Sequence, residues 1–247
     1  MHEFHAPYGV YRDTAGQPFN MGDDAKRLRR FFEDYFIEHG YGPDMTDITA
    51  ALGLSQHDTW EALYQLERGV QVMFLPGTET LVKMPPFSYA PTRHRVSVGD
   101  HRRWYAGCAG ESCAINALFP GRQVTVTSTC PECWQPMTFV FMDRELVSAD
   151  PAEAVVHIGV HPHRFRDDWI VTCDSINFFP SLEHVGRWEQ AVPERRGVTM
   201  PVAMGPKWVD GVARTRYWDY DRGPDVADGD AMIESFAKMG LDISPWQ

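Results

Sequence analysis

The sequence predicts an α+β fold: a winged-helix-like three-helix module with a β-hairpin, then a mixed, strand-rich α+β domain. Three observations predict it. Apolar residues recur with helical period from Asp23 to Gly69. Two alternating runs then flank a Pro76-Gly77 turn. Beyond residue 91 most periodic segments alternate with period two. The expected divisions are residues 1–22 as an N-terminal arm, 23–90 as the helical module and 91–247 as the larger domain.

Leu28, Phe31, Phe32, Tyr35 and Phe36 form the stripe of the first helix, with Arg27, Arg29, Arg30 and Glu33 outside it. His39-Gly40-Tyr41-Gly42-Pro43 stops it. Thr46 or Asp47 is placed to cap a short second helix that Gly53 interrupts. Ser55 caps a third, with Trp60, Leu63, Tyr64 and Leu66 apolar. Val70–Leu75 and Thr80–Met84 read as a hairpin. Three helices and a hairpin suggest DNA binding, but the would-be recognition helix carries Asp58, Glu61 and Glu67 against Arg68 alone. A groove-entering helix presents positive charge and donors, so this module reads as a cover for the larger domain.

Pro85, Pro86 and Pro91 mark an expected linker. Strands are expected over RVSVGD, HRRWYAGC, RQVTVTSTC and MTFVFM, with further apolar runs at Ala154–Val160 and Trp169–Thr172. Helices are expected near Ser112–Leu118, at Leu182–Ala191 behind Ser181, and at Asp230–Met239.

The composition narrows the function classes. The chain has 247 residues, 43% of them hydrophobic, which suits real cores. No apolar run approaches the ~20 residues that span a bilayer, and the polar N-terminus lacks a secretory h-region. Cytosolic residence is the expectation. A formal charge of −11 disfavours nucleic acid and anionic lipid as partners. Thiols stay reduced in the cytosol, so five cysteines read as ligands or nucleophiles rather than disulfides.

Cys108, Cys113, Cys130 and Cys133 give the spacing C-x4-C-x16-C-x2-C, which four thiolates of a zinc knuckle can adopt. A winged-helix regulator with that zinc site is one alternative. The bland reading of Cys130 and Cys133 is a pair of buried structural thiols. Cys173 has no use in a knuckle; it suits a two-thiolate site fed from separate strands. His157, His161 and His163 read as loop or surface histidines, and the Asp-rich 219–230 stretch lacks calcium-loop spacing and reads as a solvated linker.

Several short motifs fall in an informative order: Tyr105-Ala106-Gly107-Cys108, Cys113-Ala114-Ile115-Asn116, Phe119-Pro120, Gly121-Arg122, Ser128-Thr129-Cys130, and Cys173 ahead of Phe178-Phe179. In this order the chain resembles the organomercurial lyase (alkylmercury lyase) family over roughly residues 25–220. The resemblance implies an enzyme of mercury resistance that protonolyses carbon–mercury bonds, with a winged-helix-like region covering the site. It implies two catalytic cysteines and an acid. Cys173 matches the second cysteine. Cys113 is preferred as the first, because the helix there is expected to begin at its thiol and lower its pKa; the acid position is then Asn116. Cys108 is the alternative, and it keeps Glu111 three residues on. Glu111 or Asp174 is the candidate proton donor, with Asn116 orienting and Cys108 otherwise a third thiol that hands on product.

Soft mercury prefers thiolates to oxygen ligands, and the departing carbon needs a proton, which an amide such as Asn116 does not supply. The resemblance implies no obligatory organic cofactor. Mercury is substrate and product metal, small thiols are partners, and hand-off to a mercuric reductase follows. Asn116 in place of the acid supports a further alternative, another organometal or a sulfur substrate.

Overall fold

The computed structural model describes residues 21–99, 102–165, 167–213 and 229–247. The expected arm and most of the 219–230 stretch lie outside the described residues.

Helix α1 spans Asp23–His39, with Asp23 and Asp24 in its first turn, where carboxylates complement the helix dipole. Gly40, at φ 83°, ends it by donating to the Phe36 carbonyl. Leu28, Phe32 and Phe36 are buried as the stripe requires. Arg29 departs from expectation and is fully buried. Its Nε donates to Gln71 Oε1 at 3.0 Å and a terminal nitrogen donates to the Pro85 carbonyl at 2.8 Å. Buried acceptors reached by a long side chain are invisible to a periodicity count.

Helix α2, Met45–Leu52, is capped by Asp44 rather than Thr46 or Asp47. The Asp44 carboxylate accepts from the Thr46 and Asp47 amides, and the Asp47 side chain reaches back to the Asp44 amide, a reciprocal capping box. Helix α3, Gln56–Arg68, starts at Ser55, whose Oγ accepts from the Asp58 amide at 3.1 Å. It buries Trp60, Leu63 and Leu66, while Tyr64 is exposed.

The main sheet has the order β1-β2-β3-β5-β4-β6-β7-β8, every pairing antiparallel. Its strands are β1 Met73–Phe74, β2 Leu81–Met84, β3 Phe87–Ser88, β4 Arg95–Val98, β5 Arg102–Ala106, β6 Val124–Thr129, β7 Pro136–Met142 and β8 Glu145–Asp150. The proline-marked linker is corrected here: β3 occupies it, pairing Lys83 with Ser88 on one side and Phe87 with Ala106 on the other. One sheet therefore runs from the hairpin into the larger part of the chain. Helix α1 packs on it through Phe36 stacked on Phe87 at 4.9 Å and the Trp104 indole donating to the Phe36 carbonyl.

In β7 the buried residues are Met137, Phe139 and Phe141, a clean alternation. Strand β8 was not anticipated; Glu145, Ser148 and Asp150 give it little apolar signal, and it forms the polar edge of the sheet.

A second sheet orders β10-β9-β11, from Ile176–Phe179, Val155–Ile158 and Val198–Pro201. All four residues of β9 and of β10 are buried. Helix α4, Ala109–Ile115, is buried along its whole length against α7 (Gly205–Ala213), β10 and β5. Helix α5 spans Trp169–Asp174, α6 Leu182–Ala191 and α8 Gly229–Lys238.

Two expectations are corrected. The helix near Ser112 begins earlier, at Ala109, and ends in a 3-10 turn over Asn116–Leu118. The WIVTC run is helical, not a strand, because Asp168 caps it: its carboxylate accepts from the Ile170 and Val171 amides at 2.9 and 3.1 Å. Among the described residues no helix is long and apolar enough to cross a membrane.

Candidate active site

Gly107 and Cys108 follow β5 directly, and Cys108 is the N-cap of α4. Its Sγ accepts from the Glu111 amide at 3.3 Å, so the helix start presents a sulfur where an N-cap oxygen usually sits. One turn on, Glu111 projects back toward that sulfur. Cys173, in the last turn of α5, completes the group: its Sγ donates to Glu111 Oε2 at 3.9 Å. The ligand atoms of Cys108, Glu111 and Cys173 all lie within 4.8 Å of one another, and all three residues are buried.

Lys83, on β2, closes the group from the side of the main sheet. It is 7% exposed, and its Nζ donates to the Gly107 carbonyl at 3.3 Å. Burial works against its charge, but Cys173, Glu111 and Cys108 outweigh that and hold the ammonium above its ordinary range. Burial is also the chief reason the Cys108 thiol titrates well above the usual value, reinforced by the Cys173 hydrogen bond and the Glu111 charge and opposed by the Glu111 amide. Burial thus holds Cys108 toward its neutral thiol form.

Gly107 leaves room for the acid. A Cβ at that position would lie 2.0 Å from Glu111 Oε2, so the carboxylate occupies the volume a side chain would fill. A Cβ at Gly110 would lie 2.9 Å from the Trp208 ring and 3.7 Å from Cys108 Sγ. That contact packs α7 over the thiol.

A cavity of about 760 Å³ reaches this group through Cys173, Gly107 and Lys83. Its walls include His94, Ser128, Thr129 and Trp134. His94 is buried, with Nδ1 3.1 Å from Ser128 Oγ and its ring edge-on to Phe178. Burial, then the charges of Arg93 and Lys83, push its pKa down to about 3; the imidazole is a neutral wall of the cavity. Sequence reasoning missed both His94 and Lys83. Lys83 alternates like an ordinary strand residue, and only the pairing of β2 with β3 and β5 brings it to the thiols.

The remaining expected site residues lie outside this group, although Asp174 lines the same cavity. Cys113 sits in the middle of α4 and belongs to neither thiol group found among the described residues. Its Sγ faces Gly205 at the start of α7, where a Cβ would lie 2.8 Å away. Burial pushes its thiol up to about 12. The helix begins three residues earlier than the Ser112 start expected from the sequence, so the helix-start position that favoured Cys113 falls to Cys108, where burial outweighs any lowering of the thiol pKa. Asn116 Oδ1 accepts from the Arg144 amide at 2.6 Å, which anchors the turn between β7 and β8. Asp174 turns its carboxylate to Arg195 at 3.6 Å.

Cys130 and Cys133 form a separate group with Glu132. The four-cysteine zinc arrangement is thus not assembled: Cys108 faces Cys173 rather than the CxxC pair. The histidines are structural. His157 is buried between Thr199 Oγ1 and the Arg195 carbonyl at 3.0 and 2.8 Å. His161 bonds the Trp246 carbonyl and His163 bonds Asp230, fastening the C-terminal segment.

Comparisons with known proteins bear on this arrangement. The fold is shared with the mercury-bound form of MerB2, a crystal structure, with a TM-score of 0.62 at 20% identity over 80% of this chain and 92% of that one. Alkylmercury lyases of Bacillus cereus and Clostridium butyricum are each 32% identical over 98 residues, which is 40% of this chain. The match spans 44% of the length of each of those relatives. The profile of the MerB alkylmercury lyase family matches residues 87–208. That segment, which carries Cys108, Glu111 and Cys173, is where the chain matches the alkylmercury lyase family.

Proposed function

We propose that this chain is a carbon–mercury lyase in which Cys108 and Cys173 hold the metal and Glu111 delivers the proton to carbon. The observation that carries the proposal is the buried group of two thiols and one carboxyl, within 4.8 Å of one another, at the end of an open cavity. Each member has a distinct task. Thiols bind soft mercury; a carboxyl beside them moves protons; the cavity admits the organic group and its carrier thiol.

The proton bookkeeping closes. Substrate arrives as an organomercury thiolate. Cys173 forms a sulfur–mercury bond, and the displaced carrier leaves as a thiol with the Cys173 proton. Cys108 forms the second bond, and its proton passes to the Glu111 carboxylate. With two sulfurs on the metal the carbon–mercury bond is weakened. Its electron pair takes the proton from Glu111, the hydrocarbon leaves, and mercuric ion remains on Cys108 and Cys173. Two carrier thiols then displace the ion and restore both protons to the protein. The net change is organomercury thiolate plus one thiol giving hydrocarbon plus mercuric dithiolate. The reaction as written uses no organic cofactor, and a mercuric reductase is the natural next acceptor of the ion.

Lys83 holds the group's negative charge in place between turnovers. Cys113 and Asn116 are packing residues of α4 and the turn that follows it. The helical module, residues 23–90 in the expected division, contributes Lys83 to the site and closes one side of it.

The test is direct: incubate the protein with phenylmercury and excess thiol and measure benzene. Benzene above the thiol-only control is the expected result. A folded protein that forms none contradicts the proposal.

A further inference from the structure

The pair Cys130 and Cys133 is not used by the chemistry above, yet its surroundings are those of a built metal-binding turn. The Trp134 amide donates to the Cys130 carbonyl and the Cys130 amide to the Gln135 carbonyl, each at 3.0 Å. Trp134 holds a left-handed backbone, φ 63°, a conformation an L-residue with a large side chain rarely adopts. Its effect is to close the turn so that the Glu132 amide points at Cys130 Sγ, 3.4 Å away. The ligand atoms of Cys130, Glu132 and Cys133 lie within 4.8 Å of one another.

The group offers two sulfurs and no free third ligand of its own. Both Glu132 oxygens are taken by Arg187 of α6, at 3.0 and 3.2 Å. Zinc closes structural sites with four ligands, whereas mercuric ion is content with two thiolates. The pair also has a graded accessibility: Cys133 is exposed and Cys130 is buried. Its position is as informative as its chemistry. Thr129, before Cys130, and Trp134, after Cys133, both line the cavity that ends at Cys173. Trp134 is 75% exposed, so this rim faces solvent.

We propose that Cys130 and Cys133 form a second mercuric-ion site at the mouth of the cavity, a station between the catalytic thiols and outside acceptors. It rests on the lyase reading for the origin of the ion, but not for its affinity. Two small carrier thiols take the ion off Cys108 and Cys173, and the resulting mercuric dithiolate crosses the cavity. Exposed Cys133 then forms one sulfur–mercury bond as one carrier bond breaks. Cys130 forms the second as the other breaks, and the two protons lost by the pair leave on the two carrier thiols. No electron changes hands.

The test uses mercuric chloride and free cysteine as competitor, read by equilibrium dialysis on the full chain. Wild type should retain two mercuric ions. Cys108→Ser with Cys173→Ser should retain one, and adding Cys133→Ser should bring retention to none. Cys133 is exposed, so its replacement leaves the core intact; an unchanged thermal transition checks this. Retention that ignores Cys133→Ser overturns the proposal, as does stoichiometric zinc in the purified protein that Cys133→Ser removes. Benzene formation is measured in parallel. If no variant or wild type makes benzene but the Cys133-dependent ion persists, the lyase reading fails and this site stands. If benzene forms and the ion count never depends on Cys133, the reverse holds.

Discussion

Replacing Gly107 with Ala isolates the role assigned to Glu111 without touching any reacting group. The new Cβ would lie 2.0 Å from Glu111 Oε2, 3.1 Å from its Cδ and 3.3 Å from Lys83 Cδ, whereas ordinary contacts begin near 3.4 Å. The carboxylate therefore has to retreat by about 1.4 Å, the shortfall from 2.0 Å to 3.4 Å. That displacement moves it relative to Cys173 Sγ and to the carbon it protonates. A misplacement of ~1 Å at a reacting centre costs about 10²-fold in rate, equivalent to roughly 2.7 kcal/mol of barrier. The obstructing atom is the end of a flexible side chain rather than backbone, so the fold accommodates the change. Stability should shift by less than about 1 kcal/mol.

Benzene release from phenylmercury, run at saturating substrate, reads the first effect, and urea unfolding reads the second. Gly186→Ala, on exposed α6 with nothing within 4 Å of the added Cβ, is the matched control. It should leave the rate unchanged and stabilise by about 0.5–1 kcal/mol. A Gly107→Ala protein that folds normally and keeps its rate within threefold would refute the assigned position of the acid.

Two further outcomes follow from the same geometry. Cys108→Ser should abolish benzene formation, while Cys113→Ser should leave most of it and cost stability only modestly; the reverse pattern would restore the assignment first suggested by sequence. His94 is neutral in the folded protein, with a pKa pushed from 6.5 to about 3 by burial. Above pH 6.5 both folded and unfolded states are neutral at this residue, and its contribution is fully present. As pH falls toward 3 only the unfolded chain takes up the proton, so stability falls, by about 2 kcal/mol at pH 5 from this group alone. Urea unfolding at pH 7.5 and pH 5 should therefore show a smaller acid loss for His94→Gln than for wild type, and equal losses would contradict the burial argument.

Much of the fold is legible in the residues. The α1 stripe, the Ser55 cap, the Pro76-Gly77 turn and the alternation of β4, β6 and β7 all follow from local chemistry. The failures share a cause: local pattern was outvoted by a partner distant in sequence. Arg29 is buried because Gln71 and Pro85 supply acceptors. WIVTC is the exception: it reads as a strand until its immediate neighbour Asp168 caps it as a helix. The proline-rich stretch reads as a linker until Phe87 finds Ala106. In the site, the sequence named the three residues that the structure brings together, Cys108, Glu111 and Cys173, but preferred Cys113 because it placed the helix start too late. A sulfur in the N-cap position carries no familiar signature, since that place usually belongs to Ser, Thr, Asp or Asn. Lys83 was out of reach of any local reading.

The central claim is that two thiols bind the metal while Glu111 supplies the proton. Its most direct test is Glu111→Gln, which keeps size and hydrogen-bonding shape but removes the transferable proton. Phenylmercury is added under limiting thiol, and both the bound metal and the benzene are measured. The account predicts that phenylmercury stays on Cys108 and Cys173 while benzene formation falls by at least about 10²-fold, the lower range of a positioned general acid. Benzene at the wild-type rate from Glu111→Gln would contradict it.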